Sequence, residues 1–200
     1  MNDKRIFAPS TARNREPILG VLRNVLPAKG LTLEIASGAG EHVTFFAANF
    51  TQLTFCPSDP SPEARESISA WIAASGVANA PAPLALDVEE SPWPISAADA
   101  IICINMTHIS PWSATEALFA GAGRTLPARA PLYLYGPYRR GGAHSAPSNA
   151  EFDASLRARN AAWGVRDIED VAACAREKGF GEPQIVDMPA NNLSVIFRRT

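Results

Sequence analysis

Residues 33–42 read Leu33-Glu34-Ile35-Ala36-Ser37-Gly38-Ala39-Gly40-Glu41-His42, an apolar run that turns through small residues into a helical pattern. Glycine at such a turn lets the backbone approach a ligand closely and adopt positive φ. An acid just upstream, Glu34, suits a cationic group on that ligand. Asp59 lies at the end of the next apolar run, where a carboxylate accepts hydrogen bonds from a pair of vicinal hydroxyls. The same side chain would also serve to cap a helix opening at Ser61-Pro62. Asp87 closes a third run, Leu84-Ala85-Leu86-Asp87, and either meets an amino group of the ligand or starts a turn. Acids at three consecutive run ends are more specific than any one alone.

A second group of residues could act on a reacting partner. Asn105 ends a fourth run and His108 follows it. A neutral imidazole there could take a proton from an oxygen, nitrogen or thiol; equally, it could be a structural histidine bonded to a carbonyl. Trp112, Tyr135, Tyr138 and Trp163 could wall an apolar pocket, although each taken singly reads as core. Arg139 and Arg140 could pair with a carboxylate or phosphate, or be solvated loop charges.

The elements that must position these groups follow from apolar periodicity. Leu31–Ile35, Leu53–Cys56, Leu84–Leu86, Ala100–Asn105 and Pro131–Tyr135 are short and nearly continuous in apolar residues, as buried parallel strands are. Helical patterns alternate with them. Ile18, Leu22, Val25 and Leu26 share a face of a first helix, which should begin near Asn14 because Pro17 is tolerated in an opening turn. Ser61-Pro62-Glu63 starts another helix, with Gly76 as its stop. Ser113-x-x-Glu116 and Ser148-x-x-Glu151 fit capping boxes, and Asp167 could cap a helix ending at Gly179. Arg139 to Pro147 reads as a loop over the carboxyl edge of the sheet. Gln184–Asp187 and Leu193–Arg198 flank Met188-Pro189-Ala190-Asn191-Asn192 as a hairpin. The expectation is an α/β, Rossmann-like domain over residues 1–200, with a seven-stranded, mostly parallel sheet, a C-terminal antiparallel hairpin and helices on both faces.

The 34–40 segment resembles the acidic-x-Gly-x-Gly-x-Gly loop of class I methyltransferases that bind S-adenosylmethionine (SAM), with Ala36 in place of the first glycine. A nicotinamide site would need a third glycine where Val43 stands, and Glu34 would repel a pyrophosphate. Longer runs are similar to the methyltransferase-like 26 family: Arg13-Asn14-Arg15-Glu16-Pro17-Ile18-Leu19, Pro57-Ser58-Asp59, Asn105-Met106-Thr107-His108-Ile109-Ser110-Pro111-Trp112, Tyr135-Gly136-Pro137-Tyr138, Ser148 to Arg157, Trp163 to Asp167 and Met188 to Asn192. The resemblance implies a class I methyltransferase fold and SAM binding. It maps Glu34, Gly38, Asp59 and Asp87 onto cofactor positions. Ser37, Gly40 and Asn105 complete the candidate cofactor set, and Arg13 and Asn14 could meet the methionine tail, although Arg13 also reads as a surface helix residue. His108 and Tyr135 are then the candidate catalytic residues. Trp112, Tyr138, Arg139, Asn149, Arg157, Trp163 and Asn191 are candidates for the acceptor side, and Asn149, Arg157 and Asn191 could knit a lid to the sheet. The Asp/Asn-Pro-Pro-Tyr/Phe motif of base and glutamine methylation is absent, since Met106-Thr107 follows Asn105.

Composition bounds the remaining choices. The 200 residues suit one domain, and an apolar fraction of 46% with 19% charged argues against disorder. A formal charge of -2 lacks the basic surplus of a general nucleic-acid binder. Cys56, Cys103 and Cys174 form no CxxC pair, so no metal site is expected. With no leader-like apolar stretch or membrane span, the expectation is a cytoplasmic enzyme that methylates a small-molecule acceptor. Its rivals are a SAM-binding scaffold without transfer activity and a nicotinamide-dependent oxidoreductase.

Overall fold

The computed structural model describes residues 3–200. In chain order the elements are α1 (Pro9–Val25), β1 (Gly30–Ile35), α2 (Glu41–Asn49), β2 (Leu53–Pro57), α3 (Pro62–Ser75), β3 (Ala100–Ile104), α4 (Trp112–Thr125) and β4 (Pro131–Gly136). There follow β5 (Arg139–Arg140), β6 (Ala143–His144), α5 (Pro147–Arg159), α6 (Ile168–Glu177), β7 (Gln184–Met188) and β8 (Asn192–Arg198). The main sheet has the order β2-β1-β3-β4-β8-β7. Pairs among β2, β1, β3 and β4 are parallel, whereas β8 runs antiparallel to both β4 and β7.

The strand sequences are apolar on both faces because both faces are covered. Ile101, Cys103, Leu132, Leu134, Val195 and Phe197 pack toward α4 and α6, around Phe119 and Val171. Their neighbours Ile102, Tyr133 and Ile196 pack the other way, toward Ile18, Phe46 and Ile68 of α1, α2 and α3. This period-two division is what a pleated strand imposes on side chains. The direction of strand addition reverses between β1 and β3, which are themselves parallel: β2 lies on one side of β1 and β4 lies beyond β3. Such a switch point opens a crevice at the carboxyl ends of β1 and β3.

The main sheet has six strands, not the seven expected. Leu84–Leu86 contributes only one parallel bridge, Leu84 to Ser58. Leu84 N donates to Pro57 O at 2.9 Å and Asp59 N to Leu84 O at 3.1 Å. Pro57, Pro81 and Pro83 supply no N–H, so the ladder cannot extend. The Arg139–Pro147 stretch is not a plain loop: β5 and β6 form a separate two-stranded ribbon turning at Gly141-Gly142.

Helix starts also differ from expectation. α1 begins at Pro9, so Pro17 lies inside it and leaves the Arg13 carbonyl without its helical donor. Ser113 and Ser148 sit inside α4 and α5, whose N-caps are Pro111 and Ala146, so neither capping box forms. Ser61 caps α3 as expected, accepting from Ala64 N at 3.3 Å, and Gly76 closes that helix at φ 68°. Asp167 occupies the N-cap position of α6, but its carboxylate takes Arg139 and Gly142 N instead of its own helix. The terminal hairpin forms, with Ala190 and Asn191 both left-handed at φ 57°. Among the described residues no helix is long and apolar enough to cross a membrane.

Candidate functional site

At the carboxyl end of β1 the chain turns through residues 36–40 into α2, with Ala36, Gly38 and Gly40 at φ of 53°, 56° and 96°. Ala36 thus adopts a backbone conformation that normally favours glycine. Gly40 is required by packing: a Cβ there would lie 2.7 Å from the Ile68 Cα. Ser37 stitches this turn to the end of β2, donating its N–H to Ser58 O at 2.8 Å and accepting Ser58 N on its hydroxyl at 3.2 Å. Asp59 holds the turn from beneath, accepting Gly38 N on Oδ2 at 3.0 Å and Ser61 N on Oδ1 at 2.9 Å. It is therefore both a brace for the turn and part of the α3 start.

These residues wall a cavity of about 320 Å³ that includes Glu34, Ser37, Gly38, Gly40, Asp59 and Asn105. Glu34 is buried, and its Oε2 has no hydrogen-bond partner. Burial, reinforced by nearby Asp59, pushes its carboxyl up to about 7. An orphaned acid on the cavity wall is short of a cation or donor, and a ligand could supply one. His42 stands on the same wall, its Nε2 2.8 Å from Asn14 Oδ1, and burial lowers its imidazole to about 4. The segment before α1 closes over this side. Ile6 N donates to Ser67 Oγ at 2.8 Å, Trp71 Nε1 donates to Ile6 O at 2.9 Å, and Ala8 N donates to Glu41 Oε2 at 2.6 Å.

A second cavity, of about 560 Å³, adjoins the first, and Ser10, Asn105 and Ile109 belong to both walls. Asn105 is left-handed at φ 63°, a conformation its short polar side chain tolerates, and so ends β3 abruptly at the junction. Arg13 and Asn14, expected beside the methionine tail, line this second cavity and not the first, together with Tyr135 and Asn149. Asn149 is buried and donates to Ser145 Oγ at 3.0 Å and Asn191 O at 2.9 Å, tying α5 to the hairpin.

Other expected residues lie elsewhere. His108 is fully buried, on neither wall, edge-on to Tyr138 with ring centroids 4.7 Å apart. Burial and Arg166 lower its imidazole to about 3, and Gly136 passes so close that a Cβ there would meet Nε2 at 2.4 Å. Asp87 Oδ1 accepts Glu89 N at 3.0 Å in a turn outside the first cavity. Trp112, Arg139 and Arg157 border a different cavity, of about 500 Å³, near α6. There Arg139 pairs with Asp167, and Arg157 with Asp153 at 3.2 Å. Trp163 stacks under Arg159, and Tyr138 and Asn191 line a small cavity beside Arg140. Ser10, Ile109 and Phe152 stand on the paired cavities without any signal in residue type.

The fold is shared with solved methyltransferase structures at the level of overall backbone. An O-methyltransferase family protein from Burkholderia thailandensis superposes with a TM-score of 0.80 at 14% identity, covering 95% of this chain and 57% of that one. An O-methyltransferase family 2 protein from Planctomyces limnophilus, solved with apigenin, gives 0.80 at 17% identity, covering 96% and 60%. Human N-acetylserotonin methyltransferase, solved with SAM, gives 0.79 at 14% identity, covering 95% and 52%. The chain therefore spans little more than half the length of these relatives in fold. With its residues 5–199 matching that family's profile, the chain belongs to the family described as protein of unknown function DUF938.

Proposed function

We propose that the protein transfers a methyl group from SAM to a small-molecule acceptor. The observation that carries this reading is the pair of cavities meeting at Asn105, one walled by the glycine turn with Glu34 and Asp59, the other by Tyr135 and the start of α5. The resemblance of the fold to O-methyltransferases supports it, as does the resemblance of residues 34–40 to the SAM-binding loop of class I methyltransferases. A bound sulfonium supplies a methyl carbon that is already electrophilic. Ionised Glu34 would pair with the cationic amino end of the cofactor, and the remaining lone pairs of Asp59 would accept hydroxyl protons. An unpaired acid at Glu34 disfavours the pyrophosphate of a nicotinamide cofactor, which is the rival dehydrogenase reading.

The residues of the second cavity then act by alignment. Asn105 presents an amide at the junction, where an acceptor oxygen must lie to meet the methyl carbon in line. Burial raises the Tyr135 phenol above its ordinary range, so it stays protonated and would donate a hydrogen bond to the acceptor. His108, sealed away from both cavities, supports the walls instead of exchanging a proton with the acceptor.

Calorimetric titration with S-adenosylhomocysteine (SAH) tests the cofactor half, with one site per chain expected. Asp59→Ala should weaken binding by about 1–3 kcal/mol, the cost of stranding hydrogen-bond partners of a charged group. Retention of NAD with no affinity for SAH would overturn the reading in favour of the dehydrogenase.

A further inference from the structure

The charge of the second cavity sets the class of acceptor. The chain as a whole is slightly acidic, with 20 Asp and Glu against 18 Lys and Arg. Yet, among the described residues, the wall of this cavity carries no carboxylate and a single cation, Arg13. Arg13 is exposed and its side chain takes part in no hydrogen bond or ion pair among the described residues, unlike Arg139, Arg140 and Arg157, each held by an aspartate. Ser148 and Asn149, in the first turn of α5, stand on the same wall. That helix has neither an acid in its first turn nor a side-chain cap, so its N-terminal end keeps its positive potential. Pro17, Ile109, Tyr135, Phe152 and Pro189 give this wall apolar surface, and Ser10, Asn14, Asn105 and Asn192 add neutral polar groups.

We propose that the acceptor is a small aromatic acid, its carboxylate paired with Arg13, its ring held among Phe152, Ile109 and Tyr135, and its hydroxyl placed at Asn105. One guanidinium matches one carboxylate in a two-pronged hydrogen bond, and this wall offers no second cation of the kind a phosphate dianion would call for. An amine-bearing acceptor would find no counter-charge. This assignment rests on the methyltransferase reading. In the transfer the acceptor oxygen forms the new O–C bond as the S–C bond breaks. The electron pair stays on sulfur to give the thioether SAH, and the hydroxyl proton passes to bulk water.

The test uses the full chain saturated with SAH and three probes sharing one phenol ring: 4-hydroxyphenylacetate, its methyl ester and tyramine. Binding is followed by saturation-transfer NMR and by titration. The acid should bind about three- to tenfold more tightly than its ester, the gain of one charge-assisted contact, with tyramine weakest. Arg13→Gln should erase the difference between acid and ester, and Arg13→Glu should reverse the order so that tyramine binds best. Titration of SAH into the same samples separates the two layers of the argument. Failure of SAH to bind the wild-type chain overturns the methyltransferase reading itself. Normal SAH binding with no preference for the acid, or a preference that survives Arg13→Glu, overturns the acceptor assignment alone.

Discussion

Replacing Glu34 by glutamine should stabilise the ligand-free protein and cripple the proposed SAM site. The carboxyl is buried, has one unpartnered oxygen and is raised by that burial from 4.5 to about 7. Because the folded value lies above the unfolded one, the stability given by the protonated form is full below about pH 4.5 and is lost as pH rises through about 7. At about 1.4 kcal/mol per pH unit between the two values, ionising Glu34 costs the empty fold about 3 kcal/mol by pH 8. Glu34→Gln cannot ionise. Urea denaturation should therefore show the variant more stable than wild type by about 2–3 kcal/mol at pH 8 and nearly equal at pH 5. SAH binding reads the other side of the same balance. A cation seated against Glu34 stabilises the carboxylate, so wild-type affinity should rise from pH 6 to pH 8, with about half a proton released per binding event near pH 7. The variant should bind weakly and without that pH dependence. Superimposable denaturation curves for the two proteins at both pH values, with pH-independent SAH binding, would refute the reasoning.

Three further changes test the scaffold. Ala36→Gly relieves a left-handed residue that costs about 1–2 kcal/mol against a glycine entropy cost of about 0.5–1 kcal/mol, so scanning calorimetry should show a small rise in Tm and no fall. Gly40→Ala drives a Cβ onto the Ile68 backbone and should cost more than about 2 kcal/mol; a normal Tm would show that α2 and α3 can shift apart freely. His42 and His108, lowered by burial to about 4 and about 3, are neutral in the fold and contribute stability that is present above about pH 6.5 and lost as pH falls toward those values. Acid titration followed by circular dichroism should show this limb, and His108→Leu should flatten it; an unchanged limb would mean that His108 protonates without penalty.

Much of the fold was legible because its strands are buried on both faces, which leaves continuous apolar runs at β1, β2, β3 and β4. The exceptions trace to proline. Pro81 and Pro83 reduce an apolar run to one bridge, and Pro17 suggested a late start to a helix whose own Pro9 marks the true one. The capping boxes failed because Pro111 and Pro147 set those helix starts, leaving the serines inside. At the site, Glu34, Ser37, Gly38, Gly40 and Asp59 converge because one strand–turn–helix connection and the next strand end bring them together. Trp112, Arg139, Arg157 and Trp163 share the right chain regions but face α6 or solvent, a matter of helix rotation and loop course that residue type does not encode. Ser10, Ile109 and Phe152 illustrate the converse, ordinary residues given a role by tertiary placement alone.

The start of α1 has a kinetic consequence. Ala8 and Thr11 border the first cavity, Arg13 the second, and Ser10 both, so a single turn of helix roofs the two chambers. Upstream it hangs on Ser67, Trp71 and Glu41 of the opposite helices. A shared roof cannot lift from one chamber while staying closed on the other. If the proposed transfer takes place, departure of both products would be tied to one motion, and loosening its Trp71 anchor should quicken exchange of both at once.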